Sequence, residues 1–327
     1  MTTALRIRTP VVAGAFAALA ATAVVTAPAA PASGAAPADV AGSAARTPNP
    51  AFLLERGRFT TFDAPGATTG TTAFGINDRG QIVGKYNDGT SSSGPGAREH
   101  GFVRHPDGRF TTIDLPGVRS TSPLGINDRG QIVGVYSLTT GRVGDDPNRR
   151  AFLLERGRVT WLDAPGARYT QAYGVNDRGQ VVGEFQDAAG YHGFRWEKGR
   201  FTTIDAPGEG LATSTVGIDD GGRIVGITVD LSEPTRIRGF LLDRHGFTAV
   251  VAPGRAATAP LGINDRGRIV GTLSDADLSS GDGFLLTGLP RGRPRFTTFD
   301  VPGAASTVAL GVNDRGQIVG SYAPGAG

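Results

Sequence analysis

The chain has 327 residues, with 50 Gly, 21 Pro, no Cys and a formal net charge of +3. So much Gly and Pro with moderate charge argues for many short strands and turns and against long helices. The absence of Cys excludes disulfide staples. Lys85 and Lys198 are the only lysines, and acidic residues sit beside most of the arginines. No clustered basic face for nucleic acid is legible.

The N-terminus has a three-part layout. Arg6 and Arg8 precede an uncharged Ala/Val-rich run from Val11 to Ala27, and small-residue sites follow at Ala27-Pro28-Ala29, Ala30-Pro31-Ala32 and Ala36-Pro37-Ala38. This predicts a secretory signal peptide over residues 1–29, with cleavage as late as Ala38. The competing reading is a membrane anchor, but the run is shorter than the ~20 apolar residues of a spanning helix. Residues 30–50 are rich in Ala and Pro and read as a disordered linker. The expectation is a secreted, monomeric protein with no membrane association after cleavage.

From Ala51 onward one unit repeats. In one copy Thr121 to Ile126 is followed by the turn Asn127 to Gly130 and by Gln131 to Tyr136. After a variable loop come Ala151 to Leu154, a short turn, Arg158 to Asp163 and Ala164-Pro165-Gly166. Asn-Asp-Arg-Gly recurs from Asn77, Asn127, Asn176, Asn264 and Asn313, with a degenerate copy from Asp219. The Gly that heads each motif falls at 75, 125, 174, 217, 262 and 311. Four short β-branched segments per 40–50 residues is the signature of a propeller blade. The repeat starts in its second half at Ala51 and ends in its first half near Tyr322. This predicts an all-β, six-bladed β-propeller over residues 51–327. One composite blade would join the N-terminal third and fourth strands to the C-terminal first and second. An open solenoid is the alternative, but solenoids carry atypical end repeats.

In such blades the short Asn-Asp-Arg-Gly and Glu-Arg-Gly-Arg turns lie on one face. The variable loops and the blade-to-blade crossings lie on the other, where binding is expected. A Thr stands four residues before each motif Gly: Thr71, Thr121, Thr170, Thr213, Thr258 and Thr307. These six hydroxyls are candidates to ring the channel mouth, or else they satisfy backbone groups at the crossings. His100 and His192 occupy equivalent places before Gly-Phe in the third strand and are the other candidates. The Asp of each Asn-Asp-Arg-Gly reads as part of the turn's own cap. One Asp per turn followed by Arg does not match a calcium loop, so no metal or other cofactor is expected. No nucleophile or phosphate-loop motif appears.

The units His100-Gly101-Phe102 and His192-Gly193-Phe194 each follow a Gly-Ile/Val-Asn-Asp-x-Gly-x-Ile/Val-Val-Gly segment. In this the chain resembles the HAF-repeat family of extracellular bacterial repeat proteins. The resemblance runs from about Ala51 to Tyr322 and implies export and a repeated β-architecture. It carries no activity. The functional expectation is a secreted, non-catalytic binding or scaffold module for an extracellular glycan, cell-wall component or protein. The alternative is a hydrolase, lactonase or lyase with its site at the channel mouth.

Overall fold

The computed structural model describes residues 49–89, 98–139, 146–233, 236–275, 281–290 and 292–325. The expected signal peptide (residues 1–29), most of the expected linker (residues 30–50) and parts of the variable loops lie outside them. The described chain forms six four-stranded antiparallel sheets in a ring, a six-bladed β-propeller. Strands β1 (Ala51–Glu55) and β2 (Arg58–Phe62) open the chain. Blade 1 holds β3 (Thr71–Ile76), β4 (Ile82–Asn87), β5 (Glu99–Arg104) and β6 (Phe110–Ile113). Blade 2 holds β7 (Ser120–Ile126), β8 (Ile132–Ser137), β9 (Arg150–Glu155) and β10 (Arg158–Leu162). Blade 3 holds β11 (Tyr169–Val175), β12 (Val181–Gln186), β13 (Tyr191–Glu197) and β14 (Arg200–Ile204). Blade 4 runs from β15 (Leu211–Ile218) to β18 (Gly246–Val250), and blade 5 from β19 (Ala257–Ile263) to β22 (Arg295–Phe299). Blade 6 is the composite: β23 (Ala304–Val312) and β24 (Ile318–Pro324) join β1 and β2 in the order β2-β1-β24-β23.

Turn chemistry sets the strand boundaries. Glu55-Arg56-Gly57-Arg58 places Arg56 at φ 49° and Gly57 at φ 77°, a type I′ hairpin that matches the twist of its strands. In Asn-Asp-Arg-Gly the Gly80 N–H donates to Asn77 O at 3.0 Å, and Gly80 takes φ 76°. At the crossing the Ala67 N–H donates to Ala64 O at 3.0 Å across Pro65-Gly66, a type II turn.

Packing follows the same repeat. A buried Phe of each third strand lies directly opposite the Gly that ends Ile/Val-Val-Gly, as Phe152 does opposite Gly134. The glycine leaves room for the ring: a Cβ on Gly134 would fall 2.2 Å from Ser122 O and 2.9 Å from the Phe152 ring. One apolar core fills each joint between blades; Val133, Leu153 and Leu162 of blade 2, for example, meet Ala172, Val181 and Phe194 of blade 3. Nearest the axis, the motif glycines touch in sequence. The Cβ position of Gly75 lies 3.2 Å from Gly125 Cα, that of Gly125 3.2 Å from Gly174 Cα, and that of Gly311 3.2 Å from Gly75 Cα. The channel beside them is lined by apolar side chains, among them Phe74, Leu124, Tyr173 and Leu310.

Gly134→Ala is expected to lower the free energy of unfolding by about 3 kcal/mol, because the clash is with backbone. Denaturant titration reads this as a lower midpoint. An unchanged midpoint would show that the strands separate freely.

Candidate functional site

The five Asn-Asp-Arg-Gly turns and the degenerate Asp219 turn converge on one mouth of the channel. Their first residue caps its own turn: Asn127 Oδ1 accepts the N–H groups of Arg129 and Gln131. The second residue does not, and here the expectation of an own-turn cap is corrected. The Asp78 N–H donates to Asp128 Oδ1, Asp128 to Asp177, Asp177 to Asp220, Asp220 to Asp265, Asp265 to Asp314, and Asp314 back to Asp78, at 2.6–3.0 Å. Each aspartate is therefore a staple to the preceding blade. A parallel set runs through the Asn side chains, as when Asn127 Nδ2 donates to Asn176 O at 2.9 Å. In the degenerate copy Asp219 has no side-chain amide to donate, and Arg223 donates to Asp265 O instead while pairing with Asp219. Six carboxylates close together carry an electrostatic cost. Asp265 is pushed up to about 6 by its enclosure among the turns and then by the charges of Asp220, Asp314 and Asp219. Asp128 and Asp219 are raised as well, mainly by burial.

The opposite end holds the residues singled out from the sequence. Each of the six threonines accepts the backbone N–H that follows the Asp position of the preceding crossing. Thr71 takes Ala64, Thr121 Leu115, Thr170 Ala164, Thr213 Ala206, Thr258 Ala252 and Thr307 Val301, at 3.0–3.2 Å. These hydroxyls are almost wholly buried and latch one blade to the next.

The histidines lie in the same transverse rows. Thr71, Tyr86 and His100 are opposite one another across β3, β4 and β5, as are Thr170, Phe185 and His192 across β11, β12 and β13. His100 stacks on Tyr86, its Nδ1 2.9 Å from Asp114 and its Nε2 2.9 Å from Asp88. His192 stacks on Phe185, with Nδ1 2.9 Å from Asp205 Oδ1 and Nε2 3.3 Å from Asp187 Oδ1. The N–H groups of Ala189 and Gly190, with His192, hold the Asp187 carboxyl below the usual range. Blade 2 builds the same row with other letters. Tyr136 lies opposite Arg150, whose Nε is 3.5 Å from Asp163. Burial and then Asp163 push the Tyr136 hydroxyl up, and Arg150 opposes them. Trp161 packs on Tyr136 with ring centroids 4.6 Å apart.

The other blades break the pattern. Blade 4 has Thr228, Arg238 and Val251; blade 5 has Leu273, Asp282 and Asp300; blade 6 has Tyr322, Pro50 and Asp63. In blade 5 the charge order reverses, with Arg255 paired to Asp282. An aromatic ring, an imidazole or guanidinium, and a carboxylate thus share a row in three adjacent blades, 1 to 3.

A buried polar seam runs beneath the same three blades. Lys85 Nζ lies 2.6 Å from Glu99, whose side chain is fully buried and accepts from Ser122 Oγ at 3.1 Å. Glu184 accepts from Tyr169 and Gln171 at 3.1 and 2.9 Å. The Arg149 guanidinium sits over the Tyr169 ring at 3.9 Å. Burial, and then the charge of Glu184, raise the hydroxyls of Tyr169 and Tyr173. Where blades 1 and 3 place Lys85 and Glu184 on their second strands, blade 4 places Ile227, part of a central apolar cluster with Ala212, Val229 and Ile237. Sequence reasoning missed Lys85, Glu99, Arg149, Trp161 and Glu184. Their signal was departure from the repeat's own pattern. Among the described residues, no group of three or more His, Cys, Asp or Glu is arranged to hold a metal ion.

Neither family models nor curated proteins match the chain. Solved structures do. The chain is similar to a putative TolB from Agrobacterium tumefaciens at TM-score 0.58 and 11% identity, covering 85% of this chain and 99% of that one. A prolyl endopeptidase matches at TM-score 0.45 and 15% identity, over 79% of this chain and only 40% of its own length. A fucose-specific lectin from Aleuria aurantia matches at TM-score 0.44 and 10% identity, over 73% and 85%. At these identities the likeness is one of fold.

Two outcomes follow from the geometry. Asp265→Asn keeps the acceptor for the Asp220 N–H and removes a charge. The raised carboxyl favours the folded state below pH ~4, and that contribution is lost as pH rises through about 6. The variant is therefore expected to be more stable than the parent at pH 7, by on the order of 1 kcal/mol because solvent screens the exposed ring. The two should converge near pH 4; thermal unfolding across pH 4–8 checks this. Thr121→Val strips the acceptor from the buried Leu115 N–H and should cost about 1–3 kcal/mol, while Thr121→Ser should restore most of it. Equal losses for Val and Ser would point to packing instead.

Proposed function

We propose that the protein is an exported, non-catalytic binding module that recognises an extracellular glycan through the variable-loop face of blades 1 to 3. The observation that carries this reading is the row of aromatic, imidazole or guanidinium, and carboxylate side chains in three adjacent blades. Asp114, Asp163 and Asp205 keep 41–53% of their side-chain surface exposed, so their oxygens remain open to hydroxyl donors. Charge-assisted hydrogen bonds of this kind bind strongly and directionally.

Exposed apolar side chains add support. Among the described residues the large exposed ones are Leu138, Trp161, Leu231 and Val251, and all four lie at strand ends on this face. Such bias to one face of a rigid scaffold is typical of a binding surface. A non-catalytic role fits the seam beneath, where Lys85 neutralises Glu99 and two donors occupy Glu184. Export is supported by the charged, apolar and small-residue order of the N-terminus.

The test is a glycan array with the full chain, followed by calorimetric titration of each ligand found. Asp114→Asn and Asp205→Asn are expected to weaken binding at least tenfold, about 1.4 kcal/mol each. Asp128→Asn, on the other mouth, should leave affinity unchanged. The reverse result, with binding lost only in Asp128→Asn, would move the site to the Asn-Asp-Arg-Gly face.

A further inference from the structure

The six repeats act as controls for one another, and one position stands out. Trp161 lies opposite Phe152 on the outer strand of blade 2. The five equivalent residues are Thr61, Thr112, Thr203, Ala249 and Thr298, all exposed. A small side chain therefore serves the fold at this position. Blade 2 instead holds a large ring there, 45% exposed to solvent. Leaving so much apolar surface in water is unfavourable and calls for a partner.

The ring is held in place. One part packs on Tyr136 at 4.6 Å and 51°, and Tyr136 itself is almost buried. Beside it stand a donor and an acceptor. Arg150 lies opposite Tyr136, and Asp163 follows Trp161 by two residues, on the same side of the strand. The two groups are 3.5 Å apart, and their side chains are 33% and 53% exposed. Arg150 Nη1 is also anchored to Arg168 O at 3.1 Å.

Resting on the glycan reading above, we infer that Trp161 is the stacking platform of a subsite for one neutral hexopyranose unit, with Arg150 and Asp163 as its hydroxyl partners. The apolar C–H face of a pyranose matches a flat aromatic plate, and a rigid Trp loses little conformational entropy on contact. Hydroxyls at the sugar's edge need both a donor and an acceptor, which Arg150 and Asp163 supply. Their charges offset each other, so the subsite favours neither an anionic nor a cationic sugar. Its size also fits: one plate with one polar pair spans a single ring, whereas a protein interface buries about 800 Å² per partner.

The experiment uses the full chain and its own fluorescence. Its two tryptophans are Trp161 and Trp196, and Trp196 packs against the core between blades 2 and 3. Trp161→Thr installs the residue of the other repeats and keeps Trp196 as a reporter of folding. Neutral oligosaccharides of glucose, galactose and mannose are titrated into parent and variant, alongside a glycan array. The parent emission is expected to shift to shorter wavelength on saturation. The variant should show no shift, an unchanged melting temperature and at least tenfold weaker binding; Asp163→Asn should weaken binding severalfold and retain the shift. Parent-like affinity in Trp161→Thr would overturn the platform. If Asp114→Asn still lost binding, the variable-loop face would stand without it. Retention of acidic glycans alone, or of a protein through Trp161, would overturn the neutral-sugar assignment. Binding of no glycan at all would overturn both readings.

Discussion

The structure depends on close approach at the axis. Six glycines, one per blade, meet almost Cα to Cβ position around the channel, and this contact lets the inner strands of neighbouring blades lie side by side. Just beyond them the Asp staples and Asn side chains tie each turn to the next in a closed circuit. The circuit satisfies backbone N–H groups that would otherwise be left at a crowded, partly buried mouth. Six mutually repelling carboxylates are tolerated there because each supplies an acceptor that geometry demands. Arg223 shows how strict the demand is: where Asp219 lacks a donor, a guanidinium reaches across to replace it.

A regular mouth frees the other end to differ. Threonine latches fix every crossing in the same way, so side chains further along each row can change without disturbing the ring. Blades 1 to 3 use that freedom for charge and aromatic rings above a buried polar seam; at the position of Lys85 and Glu184, blade 4 has Ile227 and blades 5 and 6 have the small uncharged Thr272 and Ser321. The outcome is a nearly symmetric scaffold with a one-sided surface.

The architecture was legible because its evidence was periodic. The count of Asn-Asp-Arg-Gly turns and the half-unit offset between Ala51 and Tyr322 were enough for a closed six-bladed ring, and Pro-Gly and Arg-Gly marked the turns. The role of Asp128 was not legible, since an acceptor for its own turn and one for the preceding blade look alike in a linear string. The latches could be read only as one of two alternatives for Thr71 and its equivalents. The candidate site was half visible. His100 and His192 stood out as rare letters, but their neighbours Asp88, Tyr86 and Asp187 acquire meaning only through cross-strand register. Lys85, Glu184 and Trp161 break the pattern of their own repeats, a signal that appears once the six units are set beside one another.

The composite blade also dictates an order of assembly. Ala51 pairs with Ser321, so the two strands of this joint are about as far apart in the chain as any pair can be. Contacts of such separation form late and slow folding. Until β24 arrives, β1 keeps an unpaired edge, and the five complete blades form an arc with two open sides. Closure would then turn a loose series of hairpins into a single cooperative body, with its resistance to unfolding concentrated in one seam.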